Sequence, residues 1–355
     1  MANELKAAVV GTGGAARLHA AAYATRAATR LVGVVSGDKA RAEALAAEFG
    51  AGPGPGARGY ASVEEMLRAE LPDVVSVATL EWEHEAPVLA ALSAGAHVLC
   101  EKPLAHELAA GERMVAAAAR AGRNLGVNFN YRSVPSHRLV REELERGGFG
   151  RVGLFSAQMH SYLWPHMLDL MRYFFGDPAE VTAAMVDEQG LRPPVSGGPR
   201  GRAWVYSEDG GPEMLYHPSV AVAATFRYPD FPPQRAKLAG DPGFVATMSG
   251  SALAPLERNF WSFALYGTED ALAVDRATRA NLNGTASLGK IAERIAALPP
   301  CSYEESFGLS ARGFVEAVLA GKAVPVTGED GLAEMRLDAA IVDAARTGRA
   351  VKFSG

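Results

Sequence analysis

The chain has 355 residues, 48% hydrophobic and 21% charged, a composition that excludes a disordered or fibrous protein, and at about 150 residues per domain its length implies two domains. With 35 basic against 40 acidic residues the net charge is −5, so nothing draws it to nucleic acid or to an anionic membrane, and a small molecule is the expected partner. Only Cys100 and Cys301 are present, far apart and without a Cys-x-x-Cys pattern, so neither a disulfide framework nor a metal site is expected. Met1 to Val10 lacks the basic start and apolar run of a signal peptide, and no apolar segment is long enough to span a bilayer, so a cytoplasmic location is expected.

The segment Leu5 to Val10 reads as a strand that runs into Gly11-Thr12-Gly13-Gly14-Ala15-Ala16, a G-x-G-x-x-A pattern, followed by an alanine-rich helix from Arg17 to Ala28. Strand, glycine turn and helix in that order make a dinucleotide-binding turn. Gly11 allows the tight bend, Gly13 lets backbone approach a pyrophosphate, and Ala16 packs helix on strand. The helix start offers N–H groups and positive dipole to the phosphates, so Gly11, Thr12, Gly13, Gly14 and Ala15 are the expected cofactor contacts. A second strand, Leu31 to Val35, ends at Ser36-Gly37-Asp38-Lys39-Ala40-Arg41. NAD sites place an acid at this tip to hold the ribose hydroxyls. Ser36 with Lys39 and Arg41 suits a 2′-phosphate instead, which favours NADP, while Asp38, two residues late, leaves NAD open. A solvated turn with Arg41 in water is the structural alternative.

The stretch from Gly50 to Gly59 reads as a loop, and Ser62 with Glu65 forms a capping box for a helix from Val63 to Leu71. A strand from Asp73 to Ala78 leads to Thr79 and His84, a helix follows from Ala86 to Ala94, and the strand Ala96 to Leu99 ends at Glu101-Lys102-Pro103. A helix from Glu107 to Ala121 and a strand from Leu125 to Phe129 complete an alternation that requires a parallel, doubly wound sheet. That sheet delivers Lys102 to its carboxyl edge, where such folds bind ligands. Pro103 restricts the backbone at Lys102 and so the direction in which its side chain leaves the strand.

After Arg132 the character changes. A helix from Ser136 to Glu145 precedes strand-like segments at 152–159, 181–186, 221–227, 244–248, 260–266 and 271–274, read as a mostly antiparallel sheet with helices on one face. Glu188 to Arg200 and Pro229 to Gly243 read as loops, and helices are expected over 306–320 and 331–347. Two domains follow, a Rossmann domain over 1–127 and an α+β domain over 128–355.

Five motifs in order, Gly11-x-Gly13-x-x-Ala16, Thr79 with His84, Glu101-Lys102-Pro103, Asn130-Tyr131-Arg132 and His166-Met167-Leu168-Asp169-Leu170, resemble the Gfo/Idh/MocA oxidoreductases, as does the late Pro325-Val326-Thr327-Gly328-Glu329-Asp330-Gly331. The resemblance implies a Rossmann domain followed by an open-faced sheet domain that forms a homodimer or homotetramer through that sheet. It also implies hydride transfer between a nicotinamide and a hydroxyl or carbonyl carbon of a sugar, cyclitol or related polyol. Lys102 and His166 would be the acid/base groups, with Thr79, His84, Glu101 and Lys102 on the cofactor side. The segment from Ser36 to Arg41 looks like the family's NADP-binding variant. Many members carry Asp-x-Gly-x-His, but here Tyr162-Leu163-Trp164-Pro165-His166 stands instead. A phenol at Tyr162 could donate a proton or bind substrate. Trp164 could stack on a sugar ring or fill a domain junction.

Lysine serves alcohol oxidation or ketone reduction when burial and neighbouring cationic charge bring its pKa toward neutrality, and a histidine titrates there unaided. Pro165 suits a first helical turn, so His166 opens the helix, and Asp169 three residues on could orient its imidazole. Asn130 and Arg132 either bind substrate or tie the domains together. His84 either caps its helix or touches the cofactor, and His19 and His160 carry no expected role. Two other functions stay open: reduction of an imine or a conjugated double bond on the same fold, and a non-catalytic NADP-binding sensor.

Overall fold

The computed structural model describes residues 4–25, 28–50, 56–187, 204–206, 212–214, 219–229, 243–251, 261–275 and 277–353. The chain forms two compact units, Met1–Asn130 with Glu304–Met335, and Tyr131–Tyr303 with Arg336–Gly355.

In the first unit the chain runs β1 (Leu5–Val10), α1 (Gly14–Thr25), β2 (Thr29–Val35), α2 (Lys39–Phe49), β3 (Arg58–Tyr60), α3 (Val63–Glu70), β4 (Val74–Val77), α4 (Glu85–Ser93), β5 (His97–Cys100), α5 (Leu108–Ala121) and β6 (Leu125–Val127). The strands pair in the order β3-β2-β1-β4-β5-β6 with every pairing parallel. This is the doubly wound sheet expected of the alternation. Order reverses between β1 and β4, and the carboxyl ends there form the crevice in which such sheets bind ligands. Ala7–Val10 of β1, all of β4 and Val98–Cys100 of β5 are buried, runs that are apolar apart from Ser76, as sheets covered on both faces require.

The stretch from Gly50 to Gly59 is not loop to its end, because Arg58–Tyr60 pairs with β2 as an edge strand. Three residues including a glycine cannot show strand alternation. The glycine is needed for packing: a Cβ on Gly59 would stand 2.3 Å from the Glu43 backbone nitrogen in α2. The segment Glu304–Met335 belongs to this unit through burial. Ala311, Phe314, Val315 and Val324 share a core with Ala7, Val9, Tyr23 and Leu99, and Val326 and Leu332 join the core beneath β4, β5 and β6. The Phe314 ring lies where a side chain on Gly126 would stand, 2.9 Å from a built Cβ.

The second unit contains α6 (Pro135–Arg146), β7 (Val152–His160), α7 (Trp164–Phe175), β8 (Glu180–Asp187), β9 (Trp204–Tyr206), β10 (Pro212–Met214), β11 (Ser219–Tyr228), β12 (Phe244–Ser251), β13 (Trp261–Gly267), β14 (Ala271–Asp275), β15 (Thr285–Ser287) and α8 (Gly289–Ala296). Helices α9 (Tyr303–Leu319) and α10 (Gly328–Thr347) and strand β16 (Val351–Lys352) end the chain. Eight strands pair in the order β15-β14-β13-β7-β12-β11-β8-β16, antiparallel except for β12 beside β7. This is the mixed, mostly antiparallel sheet expected. Alternation along β12 and β13 puts every second residue inside. On the inner face Phe155 meets the edges of Phe174 and Phe175, at 6.4 and 5.2 Å between centroids, which seats α7 on the sheet. Strands β9 and β10 pair as a separate hairpin that the sequence did not reveal. The stretches read as Gly/Pro-rich loops fall at 188–200 and 230–242, outside the described residues. No helix among the described residues is long and apolar enough to cross a membrane.

Candidate active site

The glycine turn has the form its residues require. Gly11 has φ +116°, and a Cβ there would lie 2.4 Å from the Ala78 carbonyl oxygen, so only glycine fits between β1 and β4. Gly13 and Gly14 face open space, and a Cβ on either meets nothing within 4 Å. Helix α1 begins at Gly14, so its first-turn N–H groups border that space. A cradle bare of side chains at a helix start fits a dinucleotide pyrophosphate. At the tip of β2, Ser36 is half-buried, with its Oγ 3.5 Å from Thr12 Oγ1. Asp38 caps α2, accepting from the Ala40 and Arg41 N–H groups at 3.0 and 3.3 Å. Lys39 and Arg41 are exposed, Lys39 within 3.8 Å of Glu43.

Lys102 follows β5 directly, and the peptide bond to Pro103 is cis. Although a lysine, it is only 6% exposed. Burial brings its pKa down to about 8, against the opposing pull of the buried carboxylates Glu101, Glu81 and Glu334. Glu101 accepts from Asn128 Nδ2 at 2.6 Å and lies 2.8 Å from His19 Nε2. Burial alone would raise the Glu101 carboxyl, but the His19 and Asn128 hydrogen bonds and the Lys102 charge hold it below its ordinary value. Behind His19, Ser76 Oγ stands 3.1 Å from Nδ1 and 2.7 Å from the Tyr23 hydroxyl. His84 is the N-cap residue of α4, yet its side chain makes no capping hydrogen bond. Its ring sits between two backbone carbonyls, with Nδ1 3.2 Å from Leu104 O and Nε2 3.2 Å from Thr79 O, and burial lowers its pKa. It thereby links the loops that leave β4 and β5. Asn130 is buried and donates to Ser306 Oγ at 2.6 Å.

In the second unit Pro165 lies in the first turn of α7 and His166 is buried beside it. The imidazole stacks on Tyr131 with centroids 4.3 Å apart and planes 11° from parallel, and Trp261 meets Tyr131 edge-on at 4.9 Å. Asp169, one turn on, accepts from Arg132 at 2.6 and 2.9 Å in a two-pronged pair, and the Arg132 guanidinium also lies 5.2 Å from the Tyr173 ring centre. Trp164 is fully buried, donates to Asp338 at 3.0 Å and presses its ring against Gly250. Tyr162 is half-buried, and its N–H donates to His160 Nδ1 at 3.1 Å.

Within the first unit, the fold brings the glycine turn, Ser36, Thr79, His84, Glu101 and Lys102 to the carboxyl edge of one sheet. Within the second it gathers His166, Asp169 and Arg132 on and beside α7. The residues around Lys102 that sequence reasoning missed are His19, Ser76, Asn128, Glu81 and Glu334. For His19 a signal existed: it shares the sheet-facing side of α1 with Ala16, Ala20 and Tyr23, and a histidine on such a face needs a buried partner.

Residues 5–129 match the model of the Gfo/Idh/MocA oxidoreductase family, described as having an NAD-binding Rossmann fold. Among curated relatives, a 1,5-anhydro-D-fructose reductase of Ensifer adhaerens is 28% identical over 91% of each chain. A D-glucoside 3-dehydrogenase of Escherichia coli K12 is 34% identical over 43% of each. Among solved structures, a levoglucosan dehydrogenase in complex with NADH and L-sorbose superposes over 99% of both chains with a TM-score of 0.76 at 20% identity. The WlbA dehydrogenase of Bordetella pertussis with NADH and UDP-GlcNAcA superposes over 99% of both chains at 0.74 and 20%. The amino-terminal Rossmann domain, residues 5–129, thus matches the Gfo/Idh/MocA oxidoreductase family, and the chain is similar along nearly its full length to a sugar reductase.

Proposed function

We propose that the protein transfers hydride between a nicotinamide dinucleotide and a hydroxyl or carbonyl carbon of a sugar, cyclitol or related polyol, with Lys102 and His166 as acid/base groups. The observation that carries this reading is Lys102 itself, a lysine brought to about pH 8 by burial at the edge of the sheet that holds the glycine turn. Such an amine is half neutral near pH 8 and can take or give a proton there. The bound nicotinamide would supply the hydride acceptor or donor. The turn from Gly11 to Ala15 would hold the pyrophosphate, and Thr79, His84 and Glu101 would border the nicotinamide half. Lys102 Nζ would take the hydroxyl proton during oxidation and return it during reduction. The names of the relatives, which are sugar dehydrogenases and reductases, support the substrate class.

NADP is the preferred cofactor in this reading. Ser36 stands where an acid would hold the ribose, Asp38 is engaged in capping α2, and Lys39 and Arg41 are exposed beside them. The test measures turnover on a panel of polyols and ketoses together with the affinities for both cofactors. Lys102→Ala and His166→Ala are each expected to abolish turnover while leaving cofactor affinity within about twofold of wild type. Inactivity of the wild type across the panel would favour a cofactor-binding sensor. Ser36→Asp with Arg41→Ala is expected to move preference from NADP to NAD, and a wild type that prefers NAD would remove the 2′-phosphate assignment.

A further inference from the structure

His19 is 1% exposed on α1, and its ring lies between Ser76 on one side and Glu101 on the other, with Phe307 edge-on at 5.4 Å. Tyr23, Ser76, His19 and Glu101 form one buried chain. Only one arrangement of hydrogens leaves no hydroxyl in it without an acceptor. The Tyr23 O–H donates to Ser76 Oγ, the Ser76 O–H donates to His19 Nδ1, and His19 carries its proton on Nε2, where it donates to Glu101 Oε1. Burial pushes the Tyr23 phenol up, which keeps it a donor. Asn128 donates to the same oxygen, and the other oxygen, Oε2, accepts from the Lys102 backbone N–H at 3.3 Å. Every donor in the chain therefore points at the carboxylate that adjoins Lys102.

We infer that His19 is a positioning residue for Lys102 and acts through Glu101, whose carboxylate it fixes and keeps charged beside the lysine. The inference rests on the reading of Lys102 as the acid/base group only for its consequence in turnover, because the geometry stands without it. Among the described residues, the carboxylates Glu101 next to it in sequence, Glu81 after β4 and Glu334 in α10 act on Lys102. Those with titratable side chains acting on or bonded to Glu101 are His19, His84 and Cys100, besides Lys102 itself. Of these, His19 alone hydrogen-bonds the carboxylate through a side chain held in turn by two hydroxyls. Without its donor the buried Glu101 takes up a proton more readily, Lys102 loses the anion that acts on it most strongly, and burial then acts on the amine with less opposition.

The test titrates Lys102 by NMR of lysine labelled with ¹³C at Cε in the full chain. There are seven lysines, so the resonance that disappears in Lys102→Arg assigns it. His19→Leu is expected to move the Lys102 midpoint down by about one pH unit. Glu101→Gln should move it the same way, and the double variant should move it no further than Glu101→Gln alone. His19→Gln, whose amide can donate to Glu101, should bring the midpoint back toward wild type. An unchanged or raised midpoint in His19→Leu, or additive shifts in the double variant, overturns the inference. If His19→Leu does not fold, Ser76→Ala, which removes the hydroxyl that holds Nδ1, carries the test. A downward shift smaller than that of Glu101→Gln supports the inference, and an unchanged midpoint overturns it. No substrate enters this measurement, so it fails independently of the proposed activity. Full turnover in Lys102→Ala would remove the acid/base role of Lys102 and leave its midpoints in the other variants standing.

Discussion

Burying Lys102 makes the stability of the first unit depend on pH in a calculable way. Its pKa falls from 10.5 to about 8 on folding. Between these values the unfolded chain binds the proton and the folded chain does not, so this group makes stability rise with pH across that window. Below pH 8 its cost is fully present, at about 3 kcal/mol, and it fades as pH approaches 10.5. Lys102→Met keeps the length of the side chain and removes the titration. The unfolding free energy of wild type relative to Lys102→Met should therefore improve by about 2–3 kcal/mol between pH 7 and pH 10, most of it above pH 8. Other groups that titrate over that range act on both proteins and cancel in the difference. Urea unfolding without cofactor at each pH measures it, with fluorescence of Trp82 reporting on the first unit. A difference constant within about 0.5 kcal/mol, or one that moves against wild type as pH rises, would refute the assignment of a depressed lysine.

The same ionisation should appear in catalysis: kcat/KM for alcohol oxidation rises about tenfold per pH unit up to about pH 8 and then levels, while reduction shows the mirror image. Lys102→Arg, charged throughout, should erase that limb, and a limb that survives would assign it to another group. Gly11→Ala should cost about 1–3 kcal/mol from its φ of +116° alone, plus the clash with Ala78 O, and should abolish cofactor binding. Fluorescence titration of NADPH checks this, and unimpaired binding would contradict the role of the turn. Arg132→Met removes the two-pronged partner of Asp169, which is 1% exposed, and should destabilise the second unit by about 3–5 kcal/mol. Adding Asp169→Asn should recover part of that loss, and strictly additive effects in denaturant unfolding would show that the two side chains are not coupled.

Much of the first sheet and its turn was legible in the amino-acid order because the signals are short-range. An apolar run, Gly11 and Gly13, and an alanine-rich helix specify a strand, a bend and a helix without any distant partner, and the Glu101-Lys102-Pro103 step after a strand places a lysine at the sheet edge. Pro165 likewise announced the start of α7 and so the position of His166 in its first turn. What stayed hidden has its cause in residues remote along the chain. Strand β3 is three residues long and exists because β2 offers it an edge. Helix α9 reads as an ordinary amphipathic helix, and burial of Phe314 against Gly126 decides which sheet it covers.

The site divides along the same line. Residue types and their local spacing were enough to nominate Lys102, His166 and the cofactor turn. Nothing in the sequence around His19 says that its ring will meet a carboxylate 82 positions later, or that Arg132 will take both oxygens of Asp169. A polar group taken out of water must be matched by whichever partner the packed chain brings within about 3 Å. That partner is chosen by through-space proximity, which the order of residues constrains but only the folded chain assigns.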